Sequence, residues 1–88
     1  MNQGQRTPPF SAPSPDEKLQ FILYDLGVAP ARLSESARLA DDLGLDVLDR
    51  LILHLQLEVE FGLCILHGEW KALITFGQLQ TFIRQRAG

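Results

Sequence analysis

An all-α fold is what this sequence predicts: an irregular four-helix bundle of three longer helices and one short one, in a chain of 88 residues. Two observations carry that expectation. Apolar residues recur at helical spacing in separate segments, and the three longest of these open on a residue able to cap a helix. Nothing in the chain alternates apolar and polar residues over a strand's length, and no stretch repeats another.

The elements follow in order. Four of the five prolines fall within the first fifteen residues, among Ser, Gly, Gln and Asn. Such a stretch holds too little apolar surface to offset its ordering entropy, so residues 1–14 are expected to form a flexible tail ahead of a helical domain over 15–86. Phe10 is its only large apolar residue. Ser14 can then cap a helix, Pro15 suits the first helical position, and Glu17 completes a capping box. Leu19, Ile22, Leu23 and Leu26 follow at the spacing of one buried face, and Gly27 is placed to end the helix in a left-handed conformation.

Residues 28–45 read as a long connection pinned to the core by Val28, Leu33, Leu39 and Leu43, with a short helical turn near 37–41. Asp46 is the expected cap of the second helix, with Asp49 at its positive end and Gly62 past its last residue. Residues 64–66 should be extended, and Glu69 to Leu73 should form the short helix. Thr75 and Gln78 make another capping box, opening a last helix that buries Phe76, Leu79, Phe82 and Ile83.

Composition bounds the function. A chain of this length is a single domain with a modest core. Hydrophobic residues at 45% and charged residues at 22% describe a globular protein. A formal charge of −3 leaves no basic face for nucleic acid. One cysteine, Cys64, excludes an internal disulfide. No apolar run is long enough to cross a bilayer and no secretory signal opens the chain, so a cytoplasmic location and no membrane partner are expected.

The second helix holds the informative pattern. Its apolar residues divide into two arcs. One contains Leu53, Leu57 and Phe61, edged by Arg50 and His54. The other contains Leu48, Leu51, Ile52, Leu55 and Val59 with no polar residue among them. Periodicity alone would bury the larger arc.

Residues 39–61, LADDLGLDVLDRLILHLQLEVEF, resemble the central signature of the acyl carrier and peptidyl carrier protein family, in which a D-S-L motif opens the second helix. The resemblance runs without gaps from Leu19 to Ile83, through LGV at 26–28, DLG at 42–44, LExEF at 57–61 and IT at 74–75. It implies a four-helix bundle of acyl-carrier-protein type. It also implies a carrier of acyl groups on a 4′-phosphopantetheine arm, attached through the motif's serine, whose hydroxyl attacks the pyrophosphate of coenzyme A. Here that position is Val47, between Asp46 and Leu48. Valine offers only methyl groups, so no cofactor is expected. Ser34 and Ser36 lie more than ten residues away and are read as turn hydroxyls; Cys64 is read as a buried small hydrophobe.

On the orientation of the second helix, the resemblance opposes periodicity. It turns Leu53, Leu57 and Phe61 inward and leaves Leu48, Leu51, Ile52, Leu55 and Val59 on the partner-binding face. The family usually carries acids at the positions of Ile52 and Val59, where this chain is apolar. An exposed apolar stripe of that kind marks an interface, with a protein partner or with a second copy. The alternative is a rolled helix with both arcs partly buried. Arg50 and His54 stand where the family places its acyl pocket, and a cation there would be costly to desolvate unless Arg50 snorkels outward.

Other groupings are weaker. Cys64, His67 and His54 are too few for a structural zinc site, and no nucleophile, base and orienting group are set together, so an enzyme is not expected. Trp70, in the short helix, reads as a packing anchor or as a rim contact beside the stripe. Arg84 and Arg86 complement the last helix's dipole. The reading favoured is a carrier-type domain that has lost its prosthetic-group serine and acts through protein contacts of the second helix. The alternative is a true carrier of fatty acid, polyketide or related biosynthesis in which Val47 is an engineered or variant position. A binder of small apolar ligands ranks last.

Overall fold

A computed structural model describes residues 13–87, so Phe10 and nearly all of the expected tail lie outside the described residues. Helices α1 (Pro15–Asp25), α2 (Val47–Phe61), α3 (His67–Ala72) and α4 (Phe76–Ala87) follow in that order, with a 3₁₀ turn at Pro30–Arg32. Among the described residues the only β-pairing is an isolated antiparallel bridge between Arg38 and Thr75.

The helix starts follow their caps. Glu17 N–H donates to Ser14 Oγ at 3.2 Å and Ser14 N–H to Glu17 Oε1 at 2.9 Å. In α2, Asp49 N–H donates to Asp46 Oδ1 at 2.8 Å, and Asp46 N–H reaches Asp49 Oδ2 at 3.3 Å. Caps of this kind contribute about 1 kcal/mol each. At the other end of α2, Gly62 adopts φ +64, and the Gly62 and Leu63 amides return to the Glu58 carbonyl.

The long connection does more than cross the surface. Helix α4 begins with free amides, and the connection supplies their acceptors. Phe76 N–H donates to Ala37 O at 2.8 Å and Gly77 N–H to Glu35 O at 2.9 Å, while Leu39 N–H donates back to Ile74 O at 2.9 Å. Gln78 N–H takes the Thr75 hydroxyl at 3.2 Å, completing the expected box. A Cβ on Gly77 would lie 2.8 Å from the Glu35 carbonyl oxygen, so glycine is what permits this approach. The pairing explains one departure from expectation. No helix forms near 37–41: Arg38 is held in the bridge to Thr75, and a single turn closed by Asp42 N–H on Arg38 O is all that remains.

The core is one cluster. Leu19 and Leu23 of α1, Leu53 and Leu57 of α2, and Leu79 and Ile83 of α4 are essentially inaccessible. Val28, Ala37, Leu39, Leu43 and Leu45 pin the connection to it. Phe76 is buried as expected, whereas Leu26, Leu33, Phe61 and Phe82 pack on the margin, partly covered. The short helix starts at His67 rather than Glu69 and ends at Ala72. Its cap, Leu66, has no side-chain acceptor, and the start is held by Leu66 N–H donating to Glu69 Oε1 at 3.1 Å.

Arg84 and Arg86 make specific contacts that a dipole reading misses. Arg84 binds both carboxylate oxygens of Asp16, at 2.7 Å through Nη2, tying the end of α4 to the start of α1. That hydrogen bond first, and the charge of Asp16 second, raise the Arg84 pKa above its ordinary value. Arg86 pairs with Glu69 of α3 and lies over the Phe82 ring.

Candidate functional site: the outer face and edge of helix α2

Val47 is the first residue of α2, and 76% of its surface is exposed. Asp46 is the cap before it, and Leu48 after it is 62% exposed. The Val47 side chain therefore stands free at a helix N-terminus, open to solvent.

From Leu48 an apolar stripe runs down the helix. Leu51, Leu55 and Val59 are exposed, Val59 by 80%, while Leu53 and Leu57 on the opposite face are fully buried. Ile52 is half-covered but does not pack on the core cluster. The two arcs are unequal: Leu53 and Leu57 of the smaller arc lie in the core with Phe61 partly covered, while in the larger arc Ile52 is partly covered and the other four residues are exposed. Sequence reasoning missed that the apolar surface continues onto α1. Phe21 and Tyr24, each 63% exposed, lie off the buried face of α1. A groove of about 630 Å³ between the two helices is lined by Phe21, Leu55 and Val59, with Lys18, Asp25 and Glu60 at its edges. The signal was present, because Phe21 and Tyr24 are three apart and out of register with Leu19, Ile22 and Leu23.

The inner edge of α2 is built differently. The His54 ring stacks on Trp70 with centroids 4.7 Å apart. Its Nε2 lies 3.1 Å from Ile65 O, and 3.5 Å from Glu58 Oε2, which accepts the Ile65 amide at 2.8 Å. His54 and Glu58 together fasten the 63–66 segment to α2, and Trp70 packs on the core margin. Trp70 is accordingly the packing anchor of α3. Arg50, one turn before His54, is half-buried, with its Nε sealed from solvent and without a hydrogen-bond partner.

Cys64 is exposed, contrary to the expectation of a buried hydrophobe, because the 63–66 segment turns Leu63 and Ile65 toward the core instead. Ser34 and Ser36 are exposed in the connection. Among the described residues no three metal-ligating side chains come together, and no helix is long and apolar enough to cross a membrane.

The acyl carrier protein of Thermotoga maritima is 35% identical to this chain over 72 residues, covering 81% of this chain and 89% of that protein. The chain belongs to the acyl carrier protein family. The acyl carrier proteins of Rhodopseudomonas palustris and Nitrobacter winogradskyi are each 34% identical over 68 residues, covering 77% of this chain and 86% of theirs. No protein-family model matches the chain. The all-α bundle is the architecture expected of an acyl carrier protein. Members of this family are carriers that work by contact with partner enzymes and are not themselves catalysts, and this chain is not an enzyme.

Proposed function

We propose that this chain is a carrier-protein domain that has given up carrying and acts through protein contacts of α2. The observation that carries the first half is chemical. The residue at the attachment position, Val47, is presented to solvent at the head of α2 but has no hydroxyl. Attachment of 4′-phosphopantetheine needs a nucleophilic oxygen there, so this site does not fit the group. The Trp70–His54 stack and the half-buried Arg50 support the same reading, because they occupy the inner edge of α2 where an acyl chain would need apolar room.

The second half rests on the stripe. Leu48, Leu51, Leu55 and Val59 lie open to water, joined across a groove by Phe21. Covering a few such side chains contributes several kcal/mol at about 25 cal/mol per Å² before association costs. A protein partner fits this surface better than a second copy. Antiparallel pairing of two α2 helices would bring Asp46 and Asp49 of one copy beside Glu58 and Glu60 of the other, like charge against like. A cytoplasmic setting and a place beside the enzymes of acyl-chain biosynthesis belong to this reading.

The test pairs light scattering with affinity capture, using the natural chain and a Leu51→Glu/Leu55→Glu variant. A monomer whose retained partner disappears in the variant is the expected outcome. Identical retained proteins for both would contradict the interface.

A further inference from the structure

We propose that the chain covers one end of the outer stripe itself: residues 6–12 fold back into the groove between α1 and α2, with the Phe10 ring against Phe21, Leu55 and Val59. This concerns the chain on its own and does not depend on the partner reading above. The groove holds about 630 Å³. That is about twenty water volumes at about 30 Å³ each, room for the Phe10 ring and the rings of Pro8 and Pro9 beside it.

The segment and the groove meet at one residue. Pro13, three positions after Phe10, lines the groove together with Lys18 and Glu60. Three extended residues span about 10 Å. From Lys18 to Asp25, both lining residues, α1 advances about 10 Å as well. Phe10 therefore reaches along the groove from its anchor at Pro13, and Arg6, four residues earlier, reaches its far end. A tether this short holds the segment at an effective concentration on the order of millimolar, which a separate molecule would have to exceed.

Chemistry matches as well as reach. Composition gives residues 1–14 no core of their own, and this groove offers the Phe10 ring an apolar surface in Phe21, Leu55 and Val59, all exposed. Pro8 and Pro9 bring no N–H to desolvate and a φ already fixed, which lowers both costs of ordering them. Aromatic-lined grooves are a recurrent seat for proline-rich segments. Charge supplies an independent match. Asp25 and Glu60 line the groove, and among the described residues neither has an ion-pair partner. Lys18, the cation at the same edge, lies over the Phe61 ring, 5.7 Å from its centroid. Residues 1–12 carry one cationic side chain, Arg6, and no acid. A second copy would instead bring further carboxylates to this edge.

The experiment is a methyl-resolved nuclear Overhauser spectrum of the full chain at high and at low protein concentration. Phe10→Ala identifies the Phe10 ring signals by their loss. Contacts from that ring to the Leu55 and Val59 methyls are expected, equally strong relative to other contacts at both concentrations. Val59→Glu, at an 80% exposed position that leaves the fold intact, should abolish them and return the Phe10 ring protons to the shifts of a peptide of residues 1–14. Three results would overturn the proposal: peptide-like Phe10 shifts in the natural chain, contacts that fade on dilution and so mark a second copy, or contacts unchanged in Val59→Glu. No partner is present in this measurement, so its failure and a failure of the partner reading are told apart.

Discussion

The two apolar arcs of α2 have the same chemistry and opposite fates. Leu53 and Leu57 are sealed in the core, whereas Leu48, Leu51, Leu55 and Val59, a larger set, face water. Local hydrophobicity cannot make that choice, since it favours the larger arc. The choice is made by what packs against the helix. Helix α1 presents Leu19, Ile22 and Leu23, α4 presents Leu79 and Ile83, and the connection folds Leu39, Leu43 and Leu45 over the same side. A helix can therefore keep a broad apolar face exposed when its neighbours are already committed to a narrower one. A face kept open at that solvation cost is a reason to look for what covers it.

The comparison can be broken most forcefully from the core side. Leu57→Ala should cost about 2–5 kcal/mol, the range for a fully buried leucine, and in so small a domain should leave little folded protein. Urea unfolding measures it, and a loss below about 1 kcal/mol would mean the arcs are not distinct. Next in size is Gly77→Ala. The added methyl meets the Glu35 carbonyl oxygen, a backbone atom that already accepts the Gly77 amide. Overpacking of this kind costs about 1–3 kcal/mol, against at most about 1 kcal/mol gained in helix propensity. A net loss is expected, and a raised melting temperature would show that the connection does not hold α4.

Smaller still is the cap. Asp46→Ala should cost about 1 kcal/mol, a fall of roughly 4–8 °C in melting temperature for a domain of this size. It removes the acceptor for the Asp49 amide beside Val47. The smallest effect on stability belongs to the outer arc: Leu51→Glu/Leu55→Glu should shift unfolding by no more than about 0.5 kcal/mol per site while abolishing partner capture. If it unfolds the protein instead, the stripe is structural.

Much of this fold was legible before any coordinates. Ser14 with Glu17, Asp46 with Asp49 and Thr75 with Gln78 announced helix starts because each cap is a local contact three residues long. Gly62 announced the end of α2 for the same reason. The orientation of α2 was legible only through resemblance to a family, since its own periodicity pointed the other way. Long-range contacts left no local signal. The Arg38–Thr75 bridge limits the helical segment expected near 37–41 to the single turn closed by Asp42 N–H on Arg38 O, and the His54–Glu58–Ile65 fastening joins residues up to eleven apart. The start of α3 at His67 was hidden because Leu66, its cap, has no polar side chain, although Glu69 three residues on was a usable sign.

The central claim, that a carrier-protein domain here lacks the means to carry, is tested most directly by intact mass. The natural chain and a Val47→Ser variant are incubated with coenzyme A and a broad-specificity phosphopantetheinyl transferase. The account predicts that only the variant gains the mass of the arm, because the exposed head of α2 is retained and only the hydroxyl is missing. A gain on the natural chain would contradict it and would place the attachment on another residue.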